Sequence, residues 1–274
     1  MNREELDRLS GIARQVRLHI VRMIAAAKSG HPGGSLSATD ILTYLYFHEM
    51  KIDPARPQWE DRDRFVLSKG HAVPLLYTCL AMRGFFPVAD LSSLRRLGSH
   101  LQGHPHRLDT PGVDASTGSL GQGLSMASGM AQGLRLSGKD CRVFAMIGDG
   151  ESQEGQIWET ALTAGFRRVA NLCVFLDYND LQIDGRVSQI KDIQPIRAKW
   201  EAFRWRVEEI DGHDFSQIAT AIEAYQAEPD RPTLVIAHTV KGKGVSFMED
   251  KVEFHGTPPT PDQLKLAEQE LGNG

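Results

Sequence analysis

RVFAMIGDGESQEG (residues 142–155) and NLCVFLDYNDLQIDG (residues 171–185) follow one plan. Each opens on a run of apolar residues, and each run ends in an oxygen-bearing side chain set near glycine. A short run that is apolar at every position reads as a strand covered on both faces, the habit of parallel sheets. Between the two, QIWETALTAGF (156–166) has helical spacing, so the pair forms a βαβ unit. WRVEEID (205–211) and TLVIAHT (233–239) continue the alternation, separated by the helical DFSQIATAIEAY (214–225), for which Asp214 is the expected N-cap. RFVLSKGHA (64–72) supplies a further short strand that ends in a loop. The expected fold class is therefore α/β, a three-layer α/β/α arrangement around a mostly parallel sheet.

The flanks are consistent with that. Residues 4–29 are apolar at helical intervals, and Gly30 is the expected stop. HPGGSLSATD (31–40) reads as a turn-rich loop whose Ser37 or Thr39 caps the next helix, DILTYLYF. Residues 98–123 carry His100, His104 and His106 with Pro105, Pro111 and many glycines, and have little periodicity; a long irregular stretch in a compact domain usually has a functional role. In the helical LSMASGMAQGLRL (124–136), Gly129 and Gly133 each cost about 1 kcal/mol against Ala, so a tight neighbour is expected there. TPDQLKLAEQEL (260–271) has the Thr260/Gln263 spacing of a capping box with Pro261 at the first helical position. No repeat or linker divides the chain, and residues 1–274 are read as a single domain.

Bulk properties exclude several classes. With 274 residues, 41% apolar and 24% charged, the chain has a globular composition. A net charge of −4 gives no basic footprint for nucleic acid. No apolar run reaches the roughly 20 residues that span a bilayer, and MNREELDRLS has no signal-peptide core. Cys79, Cys141 and Cys173 are widely spaced and have no CxxC partner, so they read as small core residues in a reducing compartment, with the cytoplasm as the expected location.

Chemistry gathers at the carboxyl ends of the expected strands, where open parallel sheets bind ligands. Lys69 and His71 follow the first, Asp149 and Gly150 the next, Asp177 and Asn179 the third, and His238, Lys241 and Lys243 the last. Asp149 and Asn179 offer a carboxylate and an amide oxygen, donors suited to a hard cation such as Mg2+ that takes its remaining ligands from phosphate and water. Gly150 lets a backbone N–H approach a phosphate closely. GDG or DYND alone also reads as a turn, because Gly and Asp are common in turns; the two on neighbouring strand ends favour a metal-bridged diphosphate. KGKG (241–244) lacks the spacing of a nucleotide loop, and GSLGQG (118–123) needs only a tight turn.

These residues resemble the thiamine-diphosphate motif of transketolases: GDG at 148–150, EG and WE within 154–159, then NLCVFLDYNDLQIDG. SGHPGG, LSKGHA, GHP, TGSLGQG and FHG stand in the order that transketolases show, so the resemblance covers roughly residues 10–260. It implies the thiamine-diphosphate-binding fold, with thiamine diphosphate and Mg2+ (or Ca2+ or Mn2+) as cofactors. Asp149, Asn179 and the Leu181 carbonyl would be the metal ligands. His71, the Gly150 amide and His255 would contact the diphosphate, with Lys241 nearby. Ile183 would pack on the thiazolium, and Gly118 and Leu120 would lie by the aminopyrimidine. His31 and His104 would reach sugar hydroxyls and assist proton transfers, His255 serving beside them. Glu154 would sit at a subunit interface near the glutamate of the complementary half. Asp177, His213 and Glu159 are expected to have structural roles.

The departure from the family pattern is length. A whole transketolase is more than twice as long, and the pyrimidine-binding and C-terminal domains have no counterpart in this chain. The expected protein is thus the N-terminal subunit of a split transketolase, completed by a separate C-terminal subunit in an α2β2 heterotetramer and moving a two-carbon ketol unit from a ketose phosphate to an aldose phosphate. The alternatives are a split ketol-transferase for an unusual sugar phosphate, a deoxyxylulose-phosphate-synthase-like enzyme, against which WE after EG argues, a non-catalytic cofactor-binding regulatory module, or a fragment of a longer protein.

Overall fold

A computed structural model describes residues 1–272. Five strands, β1 (Arg64–Leu67), β2 (Val143–Gly148), β3 (Leu172–Tyr178), β6 (Arg206–Asp211) and β7 (Thr233–His238), form one sheet in the order β1-β2-β3-β7-β6, and every pairing is parallel. Two short strands, β4 (Leu181–Gln182) and β5 (Gly185–Arg186), make a separate antiparallel hairpin beyond the end of β3. The helices are α1 (Arg3–Ala27), α2 (Pro32–Ser37), α3 (Thr39–Tyr44), α4 (Val73–Arg83), α5 (Gln122–Leu136), α6 (Gly155–Phe166), α7 (Val187–Ile190), α8 (Ile196–Ala202), α9 (Phe215–Gln226) and α10 (Pro261–Gly272).

The three layers follow from side-chain alternation along the strands. Phe144 and Met146 of β2, with Cys173 and Phe175 of β3, enter a core shared with α1, α3, α4 and α9. Val143, Ala145 and Ile147, with Leu172, Val174 and Leu176, enter a second core shared with α5, α6 and α8. Both faces are therefore covered, which is why these strands are apolar at consecutive positions. The three cysteines are buried and free. Strand order reverses between β3 and β7, so the crevice for a ligand lies at the carboxyl ends of β2, β3 and β7.

Local rules read from the sequence hold at two caps. Asp214 accepts from the Ser216 and Gln217 N–H groups at the start of α9. Thr260 and Gln263 exchange backbone-to-side-chain hydrogen bonds before α10.

Three local expectations fail. HPGGSLSATD is not a loop: Pro32–Ser37 is helical, and neither Ser37 nor Thr39 caps α3. The Ser37 hydroxyl instead donates to Asp177 and that of Thr39 to the Ser35 carbonyl, because burial makes tertiary partners available. The first helix ends at Ala27 with Lys28 in the left-handed position, two residues before Gly30. Gly129 and Gly133 face open space within this chain rather than a close neighbour.

Candidate active site

A cavity of about 350 Å³ opens at the carboxyl ends of β1, β2, β3 and β7. Of the residues singled out from sequence, His31, His71, Gly118, Leu120, Asp149, Gly150, Glu154, Asn179, Leu181, Ile183, Lys241 and His255 line it. His104 is exposed and does not line it, but packs against the lining residue Gly118: a Cβ there would lie 2.8 Å from His104 Cδ2.

Asp149 is the organising anion. Its Oδ1 accepts from the Gly150 N–H at 2.7 Å, and its Oδ2 accepts from the N–H groups of Asn179 (2.9 Å) and Asp180 (2.6 Å). Asp180 is left-handed, φ 59°, and so turns its own N–H and its neighbour's toward the same oxygen. Burial pushes the Asp149 carboxyl up to about 6, helped by the nearby Asp177 charge and opposed by the Gly150 N–H. A carboxylate raised in this way ionises more readily beside a cation.

The expected oxygen donors stand together but are engaged within the protein. Asn179 Oδ1 accepts from the Leu181 N–H at 3.2 Å, and the Leu181 carbonyl accepts from Lys241 Nζ at 2.8 Å. The Gly150 N–H, expected to meet phosphate, is turned onto Asp149, whose carboxylate is the nearer acceptor.

Beside these donors the wall is cationic or imidazole. His31, His71 and His255 form a triangle with ring centroids 5.2–5.5 Å apart. Lys241 Nζ lies 3.0 Å from His255 Nδ1. Burial, assisted by Lys241, takes His255 down to about 3; burial, then the Arg95 charge, takes His31 to about 4; burial and Lys69 hold His71 well below its ordinary value. All three rings are therefore neutral at physiological pH. Burial lowers Lys241 to about 8, with Asp149 opposing and Lys69 assisting the fall. His31 Nδ1 is buried and has no hydrogen-bond partner among the described residues.

Sequence reasoning passed over Glu151 and Gln153, which line the cavity. Lys69, named among the groups after the strands but given no role, lines it as well, and Asp177, expected to be structural, lies in its floor. Glu151 is buried and accepts from Ser68 Oγ and from the Gly121 and Gly148 N–H groups, joining the ends of β1 and β2 to the start of α5. Its signal was its place two residues after Asp149, inside a stretch already marked as chemical.

The profile described as "Transketolase, thiamine diphosphate binding domain" matches residues 9–274. The chain belongs to the transketolase family. A transketolase from Campylobacter jejuni superposes with a TM-score of 0.92 at 34% identity; the match covers 99% of this chain and 43% of that one. Two subunit-sized relatives match along nearly their whole length. One is the 6-deoxy-6-sulfo-D-fructose transketolase subunit SqwG of Clostridium sp. (strain MSTE9), 44% identical over 99% of this chain and 98% of that protein. The other is an apulose-4-phosphate transketolase subunit of Phocaeicola vulgatus, 38% identical over 93% and 90%.

For a transketolase-family domain the fit to the cofactor rests on the donor set. Among the described residues no three His, Cys, Asp or Glu side chains converge on a common metal position. A cation here would need phosphate oxygens to complete its shell, as Mg2+ commonly does. Asp149, Asn179 Oδ1 and the Leu181 carbonyl are hard oxygen donors, and Lys241 already lends one of them a positive partner. The neutral imidazoles and two buried lysines in the same cavity suit a diphosphate. Leu120 and Ile183, 36% and 67% exposed, leave apolar surface at the mouth for the body of a bound molecule.

Proposed function

We propose that this chain is the diphosphate-binding subunit of a two-subunit transketolase that takes a two-carbon ketol unit from a ketose bearing an anionic tail and passes it to an aldose phosphate. The observation that carries the reading is the Asp149 carboxylate, fixed by three backbone N–H groups beside Asn179 Oδ1 and the Leu181 carbonyl, in one cavity with Lys241, which donates to that carbonyl, and the three imidazoles. Asp149, Asn179 and Leu181 would hold Mg2+, and His71, His255 and Lys241 would hold the diphosphate. Thiamine diphosphate supplies carbanion stabilisation for breaking the ketose carbon–carbon bond.

The chain's own residues do the rest. Neutral His31 and His255 offer ring nitrogens to sugar hydroxyls, and a neutral imidazole at the cavity wall can take up or return a hydroxyl proton. Lys69, Asp177 and Glu151, buried in the cavity floor, tie the ends of β1, β2 and β3 together.

The proposed partner is a separate C-terminal chain carrying the pyrimidine-binding half, in an α2β2 heterotetramer. Exposed apolar side chains on two packed helices, α5 and α6, support a covering chain: Leu162 and Phe166 are 56% and 69% exposed, Met126 is exposed, and nothing among the described residues fills the space over Gly129 and Gly133.

The subunit-sized relatives named above favour a donor outside the usual pentose phosphates, and 6-deoxy-6-sulfofructose is the first to test. The test is co-expression with a candidate partner, followed by donor assays with 6-deoxy-6-sulfofructose, apulose 4-phosphate and xylulose 5-phosphate, thiamine diphosphate and Mg2+ being supplied. Transfer to ribose 5-phosphate or glyceraldehyde 3-phosphate from any one of these supports the reading and names the donor. A stable complex that binds no thiamine diphosphate refutes it.

A further inference from the structure

Arg95 adopts a left-handed backbone conformation, φ 59°, uncommon for a residue with a side chain. The turn closes residues 95–101 on themselves, the Arg95 N–H donating to the Leu101 carbonyl at 2.8 Å. It returns the guanidinium across Gly103, where a Cβ would lie 2.9 Å from Arg95 Cζ and 3.0 Å from Nε. No larger residue at 103 admits the group in this position.

From there Nη1 donates to Ser29 Oγ at 2.9 Å, and Nη2 reaches the Gly103 carbonyl at 3.5 Å. Ser29 lies two residues before His31, and Gly103 immediately precedes His104. One guanidinium thus touches both segments that carry the sugar-facing imidazoles. A hydroxyl from the far side secures the second segment, Tyr77 donating to the His104 carbonyl at 3.1 Å.

We propose that Arg95 is a positioning residue that clamps the His31 and His104 segments together on the donor-sugar side of the cavity. This rests on the reading of the cavity as a transketolase site. Arg is suited to the task because its planar fork holds several N–H donors in a fixed geometry, whereas a lysine ammonium is a compact charge on a flexible stem.

The same cation acts on the two rings through space. After burial, it is the next cause lowering His31, and it is likewise second to burial in lowering His104. The other charged or titratable groups facing His31 are Lys241 and the rings of His104, His71 and His255; His104 faces His31 and Arg95. Arg95 therefore holds both rings in place and helps to keep them neutral, the state in which they accept a proton.

The test uses Arg95→Met and Arg95→Lys, with two readouts. Histidine titrations by long-range 1H–15N NMR on the full chain need neither partner nor substrate. In Arg95→Met the His31 and His104 midpoints move up toward 6.5, and in Arg95→Lys they stay near the parent's. In the assembled complex both variants lose about 10-fold or more in kcat/KM for the ketose donor, while the Kd for thiamine diphosphate stays within about twofold. Unmoved titrations in Arg95→Met overturn the proposal, and so does a loss of cofactor affinity in step with turnover. If the parent complex transfers no ketol unit yet Arg95→Met raises both midpoints, the functional reading fails and the placement of Arg95 stands.

Discussion

The Lys69 ammonium and the Asp177 carboxylate form a buried ion pair beneath the cavity. Lys69 also donates to the Gly34 carbonyl at 2.9 Å, and Asp177 accepts from Ser37, Thr239 and Asn179. The pair thereby ties the end of β1 to β3, to α2 and to the segment after β7, four places from which cavity residues project. Burial pushes the Asp177 carboxyl up, but Lys69 and the two hydroxyls more than offset this and hold it below the usual carboxylate range.

Removing one member of such a pair leaves the other charge buried and uncompensated, at a cost of roughly 3–5 kcal/mol. Lys69→Met should therefore lower stability by about that much in urea titrations. A double variant, Lys69→Met with Asp177→Leu, should recover a large part of the loss, since neither charge is then stranded. A thermodynamic cycle over the two sites measures the coupling. A coupling near zero would show that the two groups do not pair in solution.

Asp149→Asn tests the anion at the centre of the site. The substituted amide can accept from one group of N–H donors, but its NH2 then meets the remaining one, and the negative charge is gone. The assembled complex should lose about 100-fold or more in Mg2+-dependent affinity for thiamine diphosphate, the upper end of what supporting residues of a metal site usually cost. Titration calorimetry with Mg2+ present and with chelator decides it. The parent should show a large metal dependence and Asp149→Asn almost none; equal metal dependence in the two would remove Asp149 from the ligand set.

How much of this was legible beforehand depended on the range of the interaction. The strands could be read because residues such as Val143–Ile147 and Leu172–Leu176 are apolar at every position, a pattern set by two covered faces. Asp214 and the Thr260/Gln263 pair obey cap rules that span only a few residues. The helix at Pro32–Ser37 was hidden because its Gly-Gly-Ser composition is turn chemistry in isolation. What holds it is tertiary: Ser37 reaches Asp177, and Gly33 packs where a Cβ would meet both Lys241 and the Phe254 carbonyl at 2.9 Å. Lys69 and Asp177 are 108 positions apart, and no local spacing joins them. Arg95 went unread, because its partners Ser29 and Gly103 are set by a left-handed turn that no local spacing announces. Within the cavity, Glu151 and Gln153 were missed although they follow β2 directly, because nothing local marks their partners, whereas His31, Gly118 and His255 were brought together by the order of the motifs.

His104 tests whether an exposed ring beside the cavity lining serves the sugar rather than the cofactor. It packs on Gly118 and is held by Tyr77 through its carbonyl. His104→Ala should cut kcat/KM for the ketose donor by about 100-fold, within the range for a lost general acid or base, and leave the Kd for thiamine diphosphate nearly unchanged. Steady-state kinetics and fluorescence titration of the cofactor on the same preparation give both numbers. Parallel losses would place His104 in the cofactor's own pocket.

His31 gives a pH dependence whose sign can be worked out. In the folded chain burial and the Arg95 charge bring its pKa to about 4, while in the unfolded chain an imidazole titrates near 6.5. Between those values the unfolded state holds a proton that the folded state refuses. Stability contributed by this ring is therefore full above about pH 6.5 and falls as pH drops toward 4. A glutamine at position 31 has nothing to titrate and escapes that loss. His31→Gln should thus compare better with the parent at pH 5 than at pH 7.5, whatever the other titrating groups do, because they are common to both proteins. Urea midpoints of the two proteins at the two pH values give the comparison. A stability difference that stays constant from pH 7.5 to 5 would mean that His31 is free to protonate in the folded chain, and that the cavity wall is wetter than its burial and its unpartnered Nδ1 imply.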